Sequence, residues 1–220
     1  MKKITFLLPL LLITSGVFAQ SKIGIIGGLN FSDLKTATET KTRTLMGVGG
    51  IFEYSFNDNL SIQTEPMFVM KGGKKIGEGE DPDITAKLSF VELPIFLKYT
   101  FGKTIKPYVM TGPTVGILLS SDIETDIAGI LFKGSIKDNT RNFDLGLGFG
   151  AGVEIPFSVV SVFVEGRYTL GLYNLQKGGE FKVTGGGLTL TGNLDEGDNK
   201  FKTRGIQVLI GAKFLLTDLF

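Results

Sequence analysis

Histidine and cysteine are both missing from the 220 residues of this chain. Without cysteine there is neither a disulfide framework nor a thiolate metal site. Without histidine the chain lacks the usual general base of hydrolases and a common metal ligand, so Ser-His-Asp, Cys-His and His-metal chemistry fall together. An enzyme is therefore not expected, and no cofactor or metal is implied. An excess of charge of one sign is missing too. Lysine and arginine number 23 against 22 acidic residues, which leaves no basic surplus to hold a nucleic acid.

Long apolar runs are confined to the N-terminus. Met1 to Ala19 opens with Lys2 and Lys3, continues through an apolar run from Ile4 to Ile13 and closes on Val17, Phe18 and Ala19. That is the form of a secretory signal peptide. A run of about ten residues falls short of the roughly 20 that a spanning helix needs. Cleavage is expected after Ala19, leaving residues 20–220 as one domain outside the cytoplasm. Loss of Lys2 and Lys3 moves the formal charge from +1 to −1. With no cysteine at the cut, a lipoprotein is excluded.

What the chain has in quantity is glycine, 31 residues, and phenylalanine, 18. Glycine is poor in helices, so the mixture leans to an all-β fold. The segment Arg141 to Pro156, RNFDLGLGFGAGVEIP, is the clearest case. Phe143, Leu145, Leu147, Phe149, Ala151, Val153 and Ile155 alternate with Asn142, Asp144, Gly146, Gly148, Gly150, Gly152 and Glu154. A period of two gives a strand one apolar face and one face of glycine and polar groups. The run is long enough to cross a bilayer at a tilt, which takes roughly 9 to 11 residues.

Seven similar segments are expected as strands: Lys22 to Phe31, Thr44 to Phe56, Leu60 to Met70, Leu88 to Phe101, Pro107 to Leu119, Val159 to Tyr173 and Lys200 to Leu216. Ile26 breaks the alternation of the first, and Pro66 calls for a bulge in the third. The fifth strand is apolar on both sides, so its facing is open. In Val159 to Tyr173, Tyr173 is expected inward. Connections alternate long and short, with FKVTGGGLTLTG in the longest as an extension of the strands. Extended loops at one end and tight turns at the other fit an eight-stranded antiparallel up-and-down transmembrane β-barrel, with both termini on the periplasmic side. A soluble barrel of lipocalin type has no reason to keep its long loops at one end.

The inward face of such a barrel carries Glu53, Glu65, Glu92, Lys98, Asp144, Glu154, Glu165, Arg167 and Lys213, with Lys22 near its start. Most fall in the turn-side half of their strands, so acids and bases are expected to meet in one layer. Eight strands leave an interior just wide enough for side chains, and buried charges must pair. The expected role is structural, holding the interior together and closing it to solutes. A gate or narrow pore is the alternative; paired-carboxylate catalysis would need an open cleft.

Other patterns carry less. Gly146, Gly148 and Ala151 fit G-x-G-x-x-A, but no helix pattern follows. Gly102 to Thr104 is half a P-loop in a turn. Asp122, Glu124 and Asp126 imitate a calcium loop whose glycine and closing glutamate are replaced by Ile127 and Lys133. Glu78, Glu80, Asp81 and Asp83 read as solvated loop acids. Tyr54, Phe56, Tyr99, Phe101 and Tyr168 read as interfacial girdle residues.

FVELPIFLKYTF from Phe90, KPYVMTGP from Lys106, FDLGLGFGAGVEIP from Phe143 and EGRYTLGL from Glu165, with the cut before Gln20, resemble the PorT-like outer-membrane β-barrel family. The resemblance covers nearly the whole mature chain and implies an eight-stranded barrel of a Gram-negative outer membrane, a porin-family small barrel. The aromatic terminus Phe220 is of the kind that assembly machinery reads in such barrels. Implied partners are outer-membrane lipid, the barrel-assembly machinery and an extracellular or secretion-system partner, since some relatives belong to a secretion apparatus. The expected function is an envelope-structural or loop-mediated binding role for a barrel with a side-chain-filled lumen. A narrow pore or a secretion component is the alternative.

Overall fold

The structure, a computed structural model, describes residues 20–35, 41–77, 82–194 and 201–218. The expected signal peptide, the loop acids Glu78, Glu80 and Asp81 and the terminal Phe220 lie outside the described residues. No helix among the described residues is long and apolar enough to cross a membrane.

Twelve strands form a single sheet: β1 (Ser21–Lys35), β2 (Lys41–Ser55), β3 (Leu60–Thr64), β4 (Met67–Lys75), β5 (Ile84–Thr100), β6 (Lys106–Ile127), β7 (Ile130–Ser135), β8 (Phe143–Pro156), β9 (Val160–Gly171), β10 (Gly179–Gly185), β11 (Leu188–Leu194) and β12 (Lys202–Leu215). All described pairings are antiparallel. β3 and β4 are one stave broken at Glu65 and Pro66, since both pair with β2 on one side and β5 on the other. Pro66 has no N–H for the ladder, yet its carbonyl still accepts from Gly50 N at 3.0 Å. Counting that stave once, β1, β2, β3/β4, β5, β6, β8, β9 and β12 pair in sequence and β12 returns to β1. Eight staves therefore close on themselves, which leaves the ring without an edge.

Alternation inside and outside the ring follows the sequence pattern. On β8, Phe143, Leu145, Phe149, Val153 and Ile155 are exposed on the outer surface, while Asp144, Gly146, Gly148 and Glu154 are buried inside. The open facing of the fifth expected strand resolves: Tyr108, Met110, Thr114 and Leu118 point in, and Val109, Ile117 and Leu119 point out. Ile26 is 2% exposed and belongs to the interior set. Tyr173, expected inward, is exposed beyond the end of β9, beneath the Arg141 guanidinium at 5.6 Å. The outer ring pairs Tyr54 with Phe56 and Tyr99 with Phe101 lie edge to face near the turn end, with centroids 5.4 and 4.8 Å apart. Tyr168 does not join them; it pairs with Phe149 and Ile206 farther along the wall.

The interior is not only glycine and charge. Ile26, Ile51, Met67, Val69, Phe96, Tyr108, Met110, Phe163 and Leu209 form one apolar cluster within it. The bare glycines make room for these rings. A Cβ on Gly148 would stand 2.6 Å from Phe96 Cε1, and one on Gly152 would stand 2.6 Å from Tyr108 Cζ. Gly112 is tighter still, because a Cβ there would run into the carbonyl oxygen and Cα of β5 at Ile95 and Phe96, which cannot swing aside. We expect Gly112→Ala to destabilise the ring by about 1 to 3 kcal/mol through overpacking, read as a lower urea midpoint in detergent micelles.

The long connections turn out to be partly strand. β5 and β6 stay paired out to Ile84 and Thr125, with a register shift at Ser89 and Phe90, and β6 continues into a hairpin with β7. β10 and β11 make a second hairpin over the expected FKVTGGGLTLTG extension, and β10 touches β7 at Thr184 and Lys133. The projection leaves β11 as the open edge of the sheet among the described residues. Asp122, Glu124 and Asp126 lie on β6, paired with β5 and β7, and so do not form a loop around an ion.

Candidate functional site

Chemistry in this fold is concentrated in the ring interior. All nine residues expected there are buried. They do not meet in one layer; three tiers are stacked along the axis, because tilted and staggered strands bring residues of different sequence depth to one height.

The tier nearest the turns holds Lys22, Glu53, Lys98, Glu154 and Lys213. Glu154 Oε1 accepts from Lys22 Nζ at 2.8 Å, and its Oε2 accepts from Lys98 at 2.9 Å and Lys213 at 2.6 Å. Glu53 Oε2 accepts from Lys98 at 3.1 Å and Lys213 at 2.7 Å. Both lysines therefore bridge both carboxylates, and the Lys98 ammonium also sits 4.2 Å from the Tyr108 ring centroid.

The middle tier is built on Arg167. Its Nη2 donates to Glu65 Oε2 at 2.6 Å and to Glu165 Oε1 at 2.6 Å, and Nε donates to Glu165 Oε1 at 2.9 Å. The remaining oxygens are taken by Gln63 Nε2, donating to Glu65 Oε1 at 2.5 Å, and by Tyr108 O–H, donating to Glu165 Oε2 at 2.9 Å. The guanidinium lies 4.6 Å over Phe96.

The third tier joins Lys71 to Glu92 at 2.5 Å and to Asp144 at 3.1 Å, with the Thr203 hydroxyl donating to Asp144 Oδ2 at 3.0 Å. Lys71 was not among the expected interior groups. Its stave is interrupted at Pro66, and the lysine opens a polar stretch that resembles a loop. The signal was present all the same: Ser61, Gln63, Glu65, Met67 and Val69 are buried, and the same parity reaches Lys71.

Above the third tier the loop-side mouth is plugged. Leu34, Leu88, Phe90, Leu118 and Leu175 pack together with Ala86 and Phe201. Leu175 comes from the connection after β9 and is held by its own backbone. Its N–H donates to Phe201 O at 2.9 Å and its carbonyl accepts from Arg141 N at 2.6 Å. At the other end the ring opens on a polar vestibule of about 500 Å³ over the first tier.

On the projection, Glu124 accepts from Lys87 at 2.6 Å and from Lys133 at 3.4 Å, beyond the outer apolar run of β6. The Lys87 hydrogen bond holds its carboxyl below the usual carboxylate range, with Lys133 contributing. A depressed acid stabilises the fold above its unfolded pKa, and that contribution is lost as pH falls through the folded value. Acidification through the carboxylate range should therefore loosen β6–β7 before the body. Amide hydrogen exchange is expected to rise first at residues 122–135; uniform exchange throughout would contradict it.

The model of the outer membrane protein beta-barrel domain matches residues 18–177. A major outer membrane protein from Thermus thermophilus is similar in structure, with a TM-score of 0.55 at 12% identity over 88% of this chain and 98% of that one. Neisserial surface protein A (NspA) gives 0.47 at 11% identity over 89% and 97%. OprG from Pseudomonas aeruginosa gives 0.45 at 14% identity over 89% and 97%. No curated protein matches the chain in sequence. With its family model covering most of the length, and the eight-stave ring beneath it, the chain belongs to the outer membrane protein beta-barrel domain family.

Proposed function

We propose that this protein is an eight-stranded transmembrane barrel of PorT-like kind. In this reading the lumen is closed, and the protein serves the envelope through its body and its loop-side projection rather than by passing solutes. The residues before Gln20 are removed on export, the turns face the periplasm, and the assembly machinery inserts the chain. The observation that carries this reading is the filled interior: three ion-paired tiers, an apolar cluster among them and the Leu175 plug occupy the ring along its axis. A non-catalytic role follows from the same groups, because each of the six carboxylates in these tiers is committed to a lysine or an arginine.

Loop-mediated binding is supported by the projection. β7, β10 and β11 extend the sheet past the ring, and Leu188 and Leu190 stand exposed on the open edge strand. Unpaired backbone groups on such an edge suit an extended polypeptide that adds a strand. Planar-bilayer recording tests the closed lumen. Inserted protein is expected to give no unitary conductance, and stable, reproducible steps would favour the narrow pore instead.

A further inference from the structure

On the projection, β11 (Leu188–Leu194) has β10 along one side and no strand along the other among the described residues. The turn before it fixes which of its backbone groups face outward. Gly186 and Gly187 alone separate Gly185 from Leu188, with φ of 56° and 79°. A two-residue turn of that sign closes on a hydrogen-bonded pair, and bonded pairs then alternate along the ladder. Leu188, Leu190 and Gly192 therefore bond to β10, and the N–H and C=O groups of Thr189, Thr191 and Asn193 point away from it. Lys182, opposite Thr191, accordingly turns its carbonyl to β7, where the oxygen lies against Gly134.

This edge is unguarded and unfinished. LTLTGNL holds no charged residue and no proline, the usual protection of an edge strand. On one face Leu188 stands beside Gly185 and Leu190 beside Val183, in continuation of Phe132 on β7. Phe132 is 4% and Val183 6% exposed, whereas Leu190 is 41% and Leu188 60%. Apolar cover stops one strand short. The loop segments outside the described residues, 36–40, 78–81 and 195–200, hold no apolar side chain larger than alanine and cannot supply it. A second copy of β11 matches incompletely: with like faces opposed, every register of more than three residues leaves Leu188 or Leu190 opposite Gly192 or unpaired.

We propose that β11 is a docking strand for an extended segment of another polypeptide, uncharged and alternating aliphatic with small polar residues. The segment adds along Thr189 to Asn193, bonds to their outward backbone groups and lays its aliphatic side chains beside Leu188 and Leu190. This inference rests on the loop-mediated reading above and names the chemistry of its partner.

The test uses the folded full-length barrel in detergent micelles and a short, blocked, fluorescent peptide of alternating threonine and valine. Saturable, one-to-one binding by fluorescence anisotropy is expected, with amide exchange slowed at residues 189, 191 and 193. Thr191→Pro should abolish binding, because it removes an outward N–H and no bond to β10. Leu190→Ser should weaken it by about tenfold through lost apolar contact. The same peptide N-methylated at alternate amides should not bind, and this arm carries the test should a variant fail to fold, as heat-modifiable gel mobility would reveal. Absence of saturable binding, or equal binding by Thr191→Pro or by the N-methylated peptide, would overturn the assignment. So would barrel dimers that Thr191→Pro dissolves without any peptide binding, which would give the edge to a second copy. Conductance steps in planar bilayers would overturn the closed lumen and leave the peptide result standing, so the two readings fail separately.

Discussion

Arg167→Ala is expected to destabilise the barrel by about 3 to 5 kcal/mol, the usual cost of breaking a buried ion pair from one side. The size follows from how the tiers are wired. In the turn-side tier Glu53 and Glu154 each contact both Lys98 and Lys213, so losing one lysine leaves the other. The middle tier has no such redundancy: Glu65 and Glu165 share Arg167, which is 2% exposed. Truncation would strand two carboxylates beside Phe96 and Tyr108. Replacing the whole triad with uncharged side chains should cost less than removing the arginine alone, since a buried pair replaced by neutral groups of similar volume is often tolerated. Urea unfolding in micelles of Arg167→Met, with and without Glu65→Gln and Glu165→Gln, measures the difference. An unchanged midpoint for Arg167→Ala would show that the tier does not hold the interior.

The second large effect is expected on the outer wall. Ile210 lies halfway along the outward row Ile206, Val208, Ile210, Ala212 and Phe214, and is 63% exposed. In water an arginine at so open a position would change little. At the bilayer midplane it costs about 2 to 4 kcal/mol, so Ile210→Arg should lower stability in lipid vesicles by that amount. The same exposed arginine at Lys133 on the projection should be neutral. Equal, small effects at both positions would place Ile210 in water.

The outer wall was legible in the sequence because its alternation is strict; the interior was legible only where its residues were charged or glycine. Tyr108, Met110 and Leu118 fill the interior with apolar side chains, and so the pattern of β6 hid which face was which. Ile26 looked like an error in the alternation for the same reason. Lys71 was lost to a proline break and a polar sequence, although strand parity pointed to it. The tiers escaped because sequence depth along a strand is not height along a tilted barrel. The β10–β11 hairpin was expected only as an extension of the strands, because its apolar alternation, Phe181, Val183, Leu188 and Leu190, is too short to mark a stave.

The most direct test of an outer wall in lipid exploits the absence of cysteine. Single-cysteine variants Leu145→Cys, Phe149→Cys and Val153→Cys, with Lys133→Cys as reference, each accept one nitroxide label in reconstituted vesicles. Collision with dissolved oxygen should exceed collision with a water-soluble nickel complex at the first three positions, most of all at Phe149, and the order should reverse at Lys133. Nickel accessibility at positions 145, 149 and 153 equal to that at 133 would contradict a membrane-facing wall.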